Sequence, residues 1–201
     1  MKTKTEAKRQ AILKAAAEVF REVGFERASM SEIRSRIGGS KATLYNYFPS
    51  KEKLFFEVMY QAKELELGAI TAELNPDTAN VKQELLQFGQ RLLPSLYSPD
   101  AIAIRRLAIA ESRNSAIGKI VFEGATAPME RQVAKFLKQC MKRGALRTAD
   151  PQTAAMHLFS LLESELLQRV LLGVMDAVKP EAIRGAVRRA VDVFLSGYGR
   201  S

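Results

Sequence analysis

The chain has few of the residues that build covalent or metal cross-links. Its 201 residues include one cysteine, Cys140, one histidine, His157, and no tryptophan. A lone cysteine cannot form an intramolecular disulfide, and one cysteine with one histidine does not supply the ligands of a structural zinc site. We therefore expect no metal, no cofactor and a reduced, partly buried thiol. A redox sensor at Cys140 is the alternative, although no second cysteine could resolve it.

Long apolar stretches are also missing. No uninterrupted apolar run approaches the 18 or so residues from which a membrane-spanning helix is recognised. The chain begins Met-Lys-Thr-Lys rather than with an apolar signal segment. These absences predict a soluble, cytoplasmic protein with no membrane partner. The sequence also lacks a paired nucleophile and base, a metal cluster and a glycine-rich phosphate loop. We therefore do not expect an enzyme.

Charge is plentiful and unevenly placed. The chain carries 31 Lys and Arg against 22 Asp and Glu, a formal charge of +9, and residues 1–54 alone hold 12 of the basic and 6 of the acidic residues. Positive potential concentrated in this quarter of the chain would attract a polyanion such as nucleic acid. Basicity alone fits an anionic membrane or simple solubility equally well.

Helical spacing runs through nearly the whole chain, and no segment alternates as a strand does. Apolar residues recur every three or four positions from Ile12 through Ala16 and Phe20 to Val23, which predicts an amphipathic first helix ending at Gly24. Later apolar runs and Pro or Gly interruptions predict helices over 54–74, 81–93, 100–113, 115–143, 151–172 and 180–196. We predict an all-α fold of about nine helices, divided into two domains at residues 1–50 and 51–201.

Residues 29–48 have the pattern of a helix-turn-helix. Ser29 lies three residues before Glu32, which is a capping-box spacing at the start of a second helix. Gly38 and Gly39 then allow a tight turn. Ser40 is placed to cap a third helix, which must end near Phe48 because the following proline disfavours helical geometry.

The third helix has an unusual outward face. At about 100° per residue, Phe48 lies about 40° from Leu44, whereas Ala42 and Asn46 lie roughly 160° from it, on the opposite side. A small methyl group beside an amide suits a major groove, where alanine can touch a thymine methyl group and asparagine can pair with adenine.

Hydroxyl groups and a lysine flank that outward face. Thr43, Tyr45 and Tyr47 could reach phosphates, and Lys41 adds charge where the helix begins. The alternative is that the two tyrosines are half-buried packing residues whose hydroxyls meet solvent. From the residues alone both interpretations stay open.

The segment from Ile37 to Leu54, IGGSKATLYNYFPSKEKL, resembles the signature of the tetracycline-repressor (TetR) family of bacterial regulators. The resemblance extends over about residues 8–56 and includes the Gly24-Phe25 break. Two positions depart from the pattern. Gly39 replaces a small apolar residue such as valine, and Arg34 replaces an alanine, where it adds a solvated charge or a phosphate contact.

This resemblance implies that residues 1–50 are a helix-turn-helix DNA-binding domain and residues 51–201 a ligand-binding and dimerisation domain. The third helix would enter the major groove, while Ser29 and Ser31 would meet phosphate or a base and Lys51 would bind phosphate. The implied DNA-binding set is Ser29, Ser31, Lys41, Ala42, Thr43, Tyr45, Asn46, Tyr47 and Lys51. The family also implies a homodimer on a palindromic operator in double-stranded DNA, released by a small-molecule effector.

The last two predicted helices favour dimerisation. The first is apolar over more than one stripe, and the second repeats alanine every four residues, which permits close helix approach. A monomer whose central helix is simply surrounded is the alternative. The predicted dimer interface comprises Leu158, Leu161, Leu167, Ala182, Ala186, Ala190 and Phe194.

An effector would need a cavity in the helical body. Candidate lining residues are mostly apolar, with two carboxylates that could orient a cationic or hydroxylated ligand or simply form salt bridges. For each residue, ordinary core packing remains the alternative, and His157 is expected to be packed or hydrogen-bonded. The candidates are Phe88, Leu92, Ile104, Leu107, Glu111, Phe122, Met129, Phe159, Leu162, Glu163 and Leu166. The function predicted is a ligand-responsive repressor; the alternative is a protein of the same fold that acts without a ligand, in an architectural or recruiting role.

Overall fold

The computed structural model describes residues 2–112, 117–175 and 177–200. Within these ranges the chain is helical, with no strand and with nine helices of seven residues or more, which confirms the all-α prediction. No described helix is both long and apolar enough to cross a membrane. The helices are α1 (Lys2–Arg27), α2 (Met30–Ile37), α3 (Lys41–Tyr47), α4 (Lys51–Ala72), α5 (Val81–Leu96), α6 (Pro99–Glu111), α7 (Ile117–Val121), α8 (Ala127–Lys142), α9 (Pro151–Glu163), α10 (Leu167–Leu171) and α11 (Pro180–Tyr198).

The chain divides into two compact units, Met1–Ala62 and Lys63–Ser201. The long helix α4 begins in the first unit and ends in the second. A core of its own holds the first unit together, because α1, α2, α3 and the start of α4 each contribute apolar side chains. Its fully buried members are Ile12, Ala16, Val19, Ile33 and Leu54, with Leu44 and Phe48 almost so.

Gly24 ends the main helical segment of α1. Its φ of 76° and ψ of 166° lie outside the helical region, and the three residues up to Arg27 follow after this kink. The predicted end of the first helix at Gly24 is therefore confirmed. Only glycine adopts this backbone conformation readily, because it has no Cβ. The Phe25 side chain lies outside the described part.

The second unit is built around α5, α8, α9 and α11. Phe88, Leu92, Leu137 and Val187 are completely buried in one continuous core. Gly89 permits this packing, because a Cβ there would lie 2.7 Å from Val187 Cγ1 and 2.9 Å from Leu162 Cδ2. The backbone of α5 therefore approaches α9 and α11 more closely than any larger residue would allow.

Proline positions account for two corrections to the predicted helices. Pro94 lies inside α5 rather than ending it near Leu93. Both Pro94 and Gln90, whose carbonyl loses its partner, are exposed, so water can replace the missing hydrogen bond. The stretch predicted over 115–143 contains a π-helical segment, Phe122–Thr126, just before Pro128 in the first turn of α8. Residues 113–116 lie outside the described part.

The helix predicted over 151–172 is also divided. α9 ends at Glu163, Ser164–Leu166 form a turn, and α10 follows. The Ser164 hydroxyl donates to the Leu161 carbonyl over 2.8 Å, and the Ser164 N–H donates to the same oxygen over 3.3 Å. Serine therefore offers the backbone a local alternative to the helical hydrogen bond.

Candidate functional site

The third helix is fixed at both ends and by its buried face. Ser40 Oγ accepts the Thr43 N–H over 3.1 Å, and the Phe48 N–H donates to the Leu44 carbonyl over 2.9 Å. Leu44 and Phe48 are each 1% exposed. Their burial sets the rotation of α3, so that Ala42 and Asn46 are exposed on the opposite side.

The hydroxyl groups on the flanks of α3 differ in exposure. Thr43 and Tyr47 are half-buried, and Thr43 Oγ1 lies 2.9 Å from Ser40 Oγ. Tyr47 packs against the first unit's core, as in the packing interpretation. Tyr45 is exposed, with the Lys41 ammonium 5.6 Å from its ring centroid, within cation–π range.

A concavity with a volume of about 490 Å³ lies between α2, α3 and the start of α4. Ser29 Oγ accepts the Glu32 N–H over 3.1 Å and lies 3.1 Å from Ser31 Oγ. Lys51 donates to the Ala28 carbonyl over 3.1 Å, which ties α4 to the entrance of α2. The concavity also includes Arg34, so three cationic side chains line it. The full lining is Ala28, Ser29, Met30, Ser31, Arg34, Lys41, Leu44, Tyr45 and Lys51.

Two arginines elsewhere in the first unit are paired with carboxylates. Arg36 pairs with Glu22 over 2.8 Å, and this hydrogen bond lowers the pKa of the Glu22 carboxyl. Arg9 pairs with Glu57. Arg34 and Lys41, by contrast, form no ion pair with any residue that the structure describes. Positive charge is therefore available on the surface that carries α3.

The second unit contains a pocket of about 590 Å³. Three of the residues predicted to contact an effector line it: Met129, Phe159 and Glu163. Its lining mixes apolar, hydroxyl, amide and charged side chains from α5, α6, α8, α9 and α10. The remaining lining residues are Leu96, Arg105, Thr126, Glu130, Met156, Ser160, Ser164, Leu167 and Gln168.

A half-buried ion pair lies in the pocket wall. Arg105 donates to Glu163 over 2.7 Å, which joins α6 to α9. The Tyr97 hydroxyl is buried and has no hydrogen-bond partner among the described residues. Burial is the main cause that raises its pKa far above the usual tyrosine value, and the Glu163 charge adds to it while Arg105 opposes it. The Tyr97 hydroxyl is therefore neutral, and the charges of Glu163 and Arg105 act on its pKa in opposite directions.

The other residues predicted to line an effector cavity lie elsewhere. Phe88, Leu92 and Leu162 are completely buried in the core, where their side chains contact other apolar groups. Ile104 and Leu166 are also buried, Leu107 is half-buried and Phe122 is 55% exposed. None of these seven lines the 590 Å³ pocket. The Glu111 side chain lies outside the described part.

Most of the residues predicted to form the dimer interface are buried within the chain itself. Leu158, Ala186, Ala190 and Phe194 are no more than 4% exposed, so their side chains fill the second unit's own core. Leu161 and Ala182 are half-buried, and Leu167 lines the pocket. The outward faces of α9 and α11 instead present Met156, 42% exposed, and Val193, 55% exposed.

His157 and Cys140 have ordinary structural surroundings. His157 Nδ1 lies 2.7 Å from the Tyr198 hydroxyl, consistent with the hydrogen-bonded histidine expected. Cys140 is fully buried in the second core, and burial raises the pKa of its thiol. The thiolate that redox chemistry needs is therefore disfavoured.

Comparison with known proteins matches both units to families. Residues 12–58 match the family described as bacterial regulatory proteins, tetR family. Residues 83–200, more than half of the chain, match the C-terminal domain of AefR-like transcriptional repressors. The chain belongs to the TetR family.

Individual regulators are similar to this chain along most of its length. A helix-turn-helix transcriptional regulator of Mycobacterium tuberculosis is 23% identical over 161 residues, covering 80% of this chain and 75% of that protein. A solved TetR-family regulator from Mesorhizobium loti is 28% identical, with a TM-score of 0.80, and covers 98% of this chain and 100% of that one. The solved flavonoid-responsive regulator FrrA is 29% identical, with a TM-score of 0.66 and coverage of 96% and 98%. The protein is a DNA-binding transcriptional regulator of the repressor type.

Sequence patterns could not have located the pocket of this TetR-family protein. Arg105 and Glu163 are 58 residues apart, and each also fits an exposed helical position. Met156, Ser160 and Gln168 resemble solvent-facing residues of an amphipathic helix. Neither helix sequence alone indicates that α6 and α9 lie close enough to bring these side chains together.

Proposed function

We propose that this protein is a homodimeric repressor that binds a palindromic operator through α3 and is released by a small molecule bound in the 590 Å³ pocket. The exposed pair Ala42 and Asn46, opposite the buried Leu44 and Phe48, is the observation on which the DNA-binding mode depends. A small side chain beside an amide suits close approach to base edges.

Phosphate contacts would position α3 in the groove. Lys41, Arg34 and Lys51 surround the concavity between α2, α3 and α4, and Ser31 and Tyr45 add hydroxyl groups there. Lysine and arginine at this surface supply affinity for any duplex, whereas Asn46 supplies preference for a base. The two contributions can therefore be separated by mutation.

The operator must first be obtained by selecting bound duplexes from a random pool. Asn46→Ala should then lose about 1 to 3 kcal/mol of discrimination at one base pair in each half-site, with other positions unchanged. Lys41→Gln is the matched control, because it should weaken all duplexes alike and reduce the salt dependence of binding. An Asn46→Ala protein with unaltered base preference would show that another residue reads the operator.

Dimerisation is proposed through the outward faces of α9 and α11. Val193 of α11 and Met156 of α9, which also borders the pocket, are exposed apolar side chains, and an apolar centre is typical of a homodimer interface. Val193→Glu should give monomers in sedimentation, whereas the same change at Ile109, which is 61% exposed on α6, should leave the dimer intact. A dimeric Val193→Glu protein would place the interface elsewhere.

The pocket lining supports an effector with an apolar ring system and several hydroxyl groups. Phe159, Met129 and Met156 offer apolar contact, and methionine adapts readily to irregular shapes. The Arg105–Glu163 pair and Gln168 offer hydrogen bonds without a large net charge. The related regulator FrrA is named as flavonoid-responsive, which is the same chemical class.

A panel of hydroxylated aromatic compounds tested by thermal shift and by release from operator DNA would identify the effector. Glu163→Gln should weaken binding of the compound found while leaving operator affinity without compound unchanged. Glu123→Gln is the matched control, since Glu123 is exposed outside the pocket. If the compound found releases the Glu163→Gln protein and the wild type from operator DNA at the same concentration, the pocket does not hold the effector. The pocket's volume supports this function over a ligand-free architectural role, for which a filled body would be expected.

A further inference from the structure

The outer face of α8 carries four basic side chains in one row. Arg131, Lys135, Lys138 and Lys142 are all exposed. At about 100° and 1.5 Å per residue, they lie within an arc of about 60° and extend along about 16 Å of the helix axis. Glu130, the only carboxylate of α8, lies outside this arc and accepts a hydrogen bond from Gln152 over 3.3 Å.

The opposite face of α8 fixes the orientation of this basic row. Val133, Leu137 and Cys140 are completely buried and Phe136 is 3% exposed, so the helix cannot turn about its axis without losing its core contacts. The four charges are therefore held outward on a rigid surface. Only the long side chains themselves would have to be ordered by a binding partner.

The basic row is not the usual mixed-charge surface of a solvated helix. None of its four members forms an ion pair with a residue in the described ranges. Like charges three and four residues apart repel each other and destabilise a helix. The helix dipole favours a cation in the last turn, which accounts for Lys142 but not for Arg131 or Lys135. An anionic partner would relieve this repulsion.

More positive charge lies at the C-terminal end of the same helix. Arg143 donates to the Thr78 carbonyl over 3.0 Å, and Arg200 donates to the Gly144 carbonyl over 3.1 Å. Both side chains are held by neutral carbonyl groups and remain exposed. Both therefore add positive charge at the end of α8 that carries Lys142.

We propose that the basic row of α8 is a second binding surface for the phosphate backbone of duplex DNA, separate from the helix-turn-helix. No large apolar side chain is exposed on α8, which is described throughout. An interface with another protein is expected to have aromatic or apolar anchors, and a membrane-surface helix inserts apolar residues. Duplex DNA needs neither, and it presents one negative charge about every 1.7 Å of its axis. Of these three partners, duplex DNA therefore fits a surface of exposed cations without apolar anchors best.

Binding of full-length protein to a random-sequence duplex, followed by fluorescence anisotropy over a series of salt concentrations, tests the proposal. The test variant is Lys135→Gln/Lys138→Gln, because glutamine keeps helix propensity while removing two charges. The control is Lys82→Gln/Lys119→Gln, which removes two exposed charges from the same unit outside the row.

Each phosphate contact contributes about 0.9 to the slope of log K against log salt concentration. The test variant should therefore lose about 2 from the magnitude of the slope, while the control keeps the wild-type slope. Equal slopes for the two variants would overturn the proposal, because they would reflect net charge alone. The proposal would also fail if the test variant kept the wild-type slope for DNA but no longer sedimented with phosphatidylserine vesicles that bind the wild type. Loss of base preference in Asn46→Ala tests the helix-turn-helix independently of either result.

Discussion

The turn between α2 and α3 should depend on Gly38 through its backbone alone. Gly38 has a φ of 63° and a ψ of 164°, a combination that is essentially restricted to glycine. A Cβ built on Gly38 would meet no atom within 4 Å. Gly38→Ala therefore introduces no steric contact, and any loss of stability must come from forcing a non-glycine residue into this conformation.

The expected cost is about 1 to 3 kcal/mol of stability for the first unit. Gly68 offers a matched control, because it lies inside α4 with a normal helical backbone and a Cβ there would also meet nothing within 4 Å. Gly68→Ala should stabilise its helix by up to about 1 kcal/mol through helix propensity. The same substitution should thus have opposite signs at two equally open positions.

Hydrogen exchange measured by mass spectrometry would localise the effect. In Gly38→Ala, the amides of α2 and α3 should exchange about 5-fold to 100-fold faster, since each 1.4 kcal/mol changes an opening equilibrium tenfold. Operator affinity should fall with them, because α3 must be folded to enter a groove. Unchanged exchange in α2 and α3, or a stabilised Gly38→Ala protein, would refute the reasoning from φ and ψ.

Three further predictions concern single side chains. Tyr97→Phe should raise stability by about 1 kcal/mol in chemical denaturation, because it removes a buried hydroxyl that has no hydrogen-bond partner among the described residues; a destabilised variant would show that the hydroxyl is satisfied. Ser40→Ala should cost about 1 kcal/mol by removing the cap of α3, whereas Ser40→Asn should restore most of it, and equal melting curves for the two would contradict this role. The pKa of Asp150 is lowered by its hydrogen bonds to Thr153, so its contribution to stability is present above the ordinary carboxyl pKa of about 4 and is lost as pH falls through its lower folded value. Acid titration of Asp150→Asn, which keeps a capping side chain, should show a smaller loss of stability between pH 4 and lower values than the wild type, and identical acid curves would contradict this assignment.

Local chemistry made the first unit largely predictable. Ser29 and Ser40 cap helices at the positions expected from their spacing, and Gly38 adopts the positive φ that a glycine in that turn suggested. The angular relation of Leu44 and Asn46 needs only the periodicity of one short helix. Each of these features depends on residues within a few positions of each other, where sequence patterns carry the most information.

The helical body was less predictable, because its details depend on contacts between distant residues. Pro94 was expected to end α5, but an exposed helix face lets water replace one lost hydrogen bond. The long helix expected over 151–172 is divided where Ser164 binds the Leu161 carbonyl. Similarly, Leu158 and Ala186 are apolar residues whose spacing fits a core and an interface equally well, and only the packing of α9 and α11 shows that the chain buries both itself.

The order of residues from Ile37 to Leu54 was enough to indicate the class of this protein and to predict which face of α3 would meet DNA, because caps, turns and the helical period act over short distances. The pocket, the Arg105–Glu163 pair and the buried Tyr97 hydroxyl arise from the packing of α5, α6 and α9. The basic row of α8 was only partly predictable from the sequence. Its spacing can be read in the sequence, but its outward direction follows from the burial of Val133 and Leu137 on the other side of the helix.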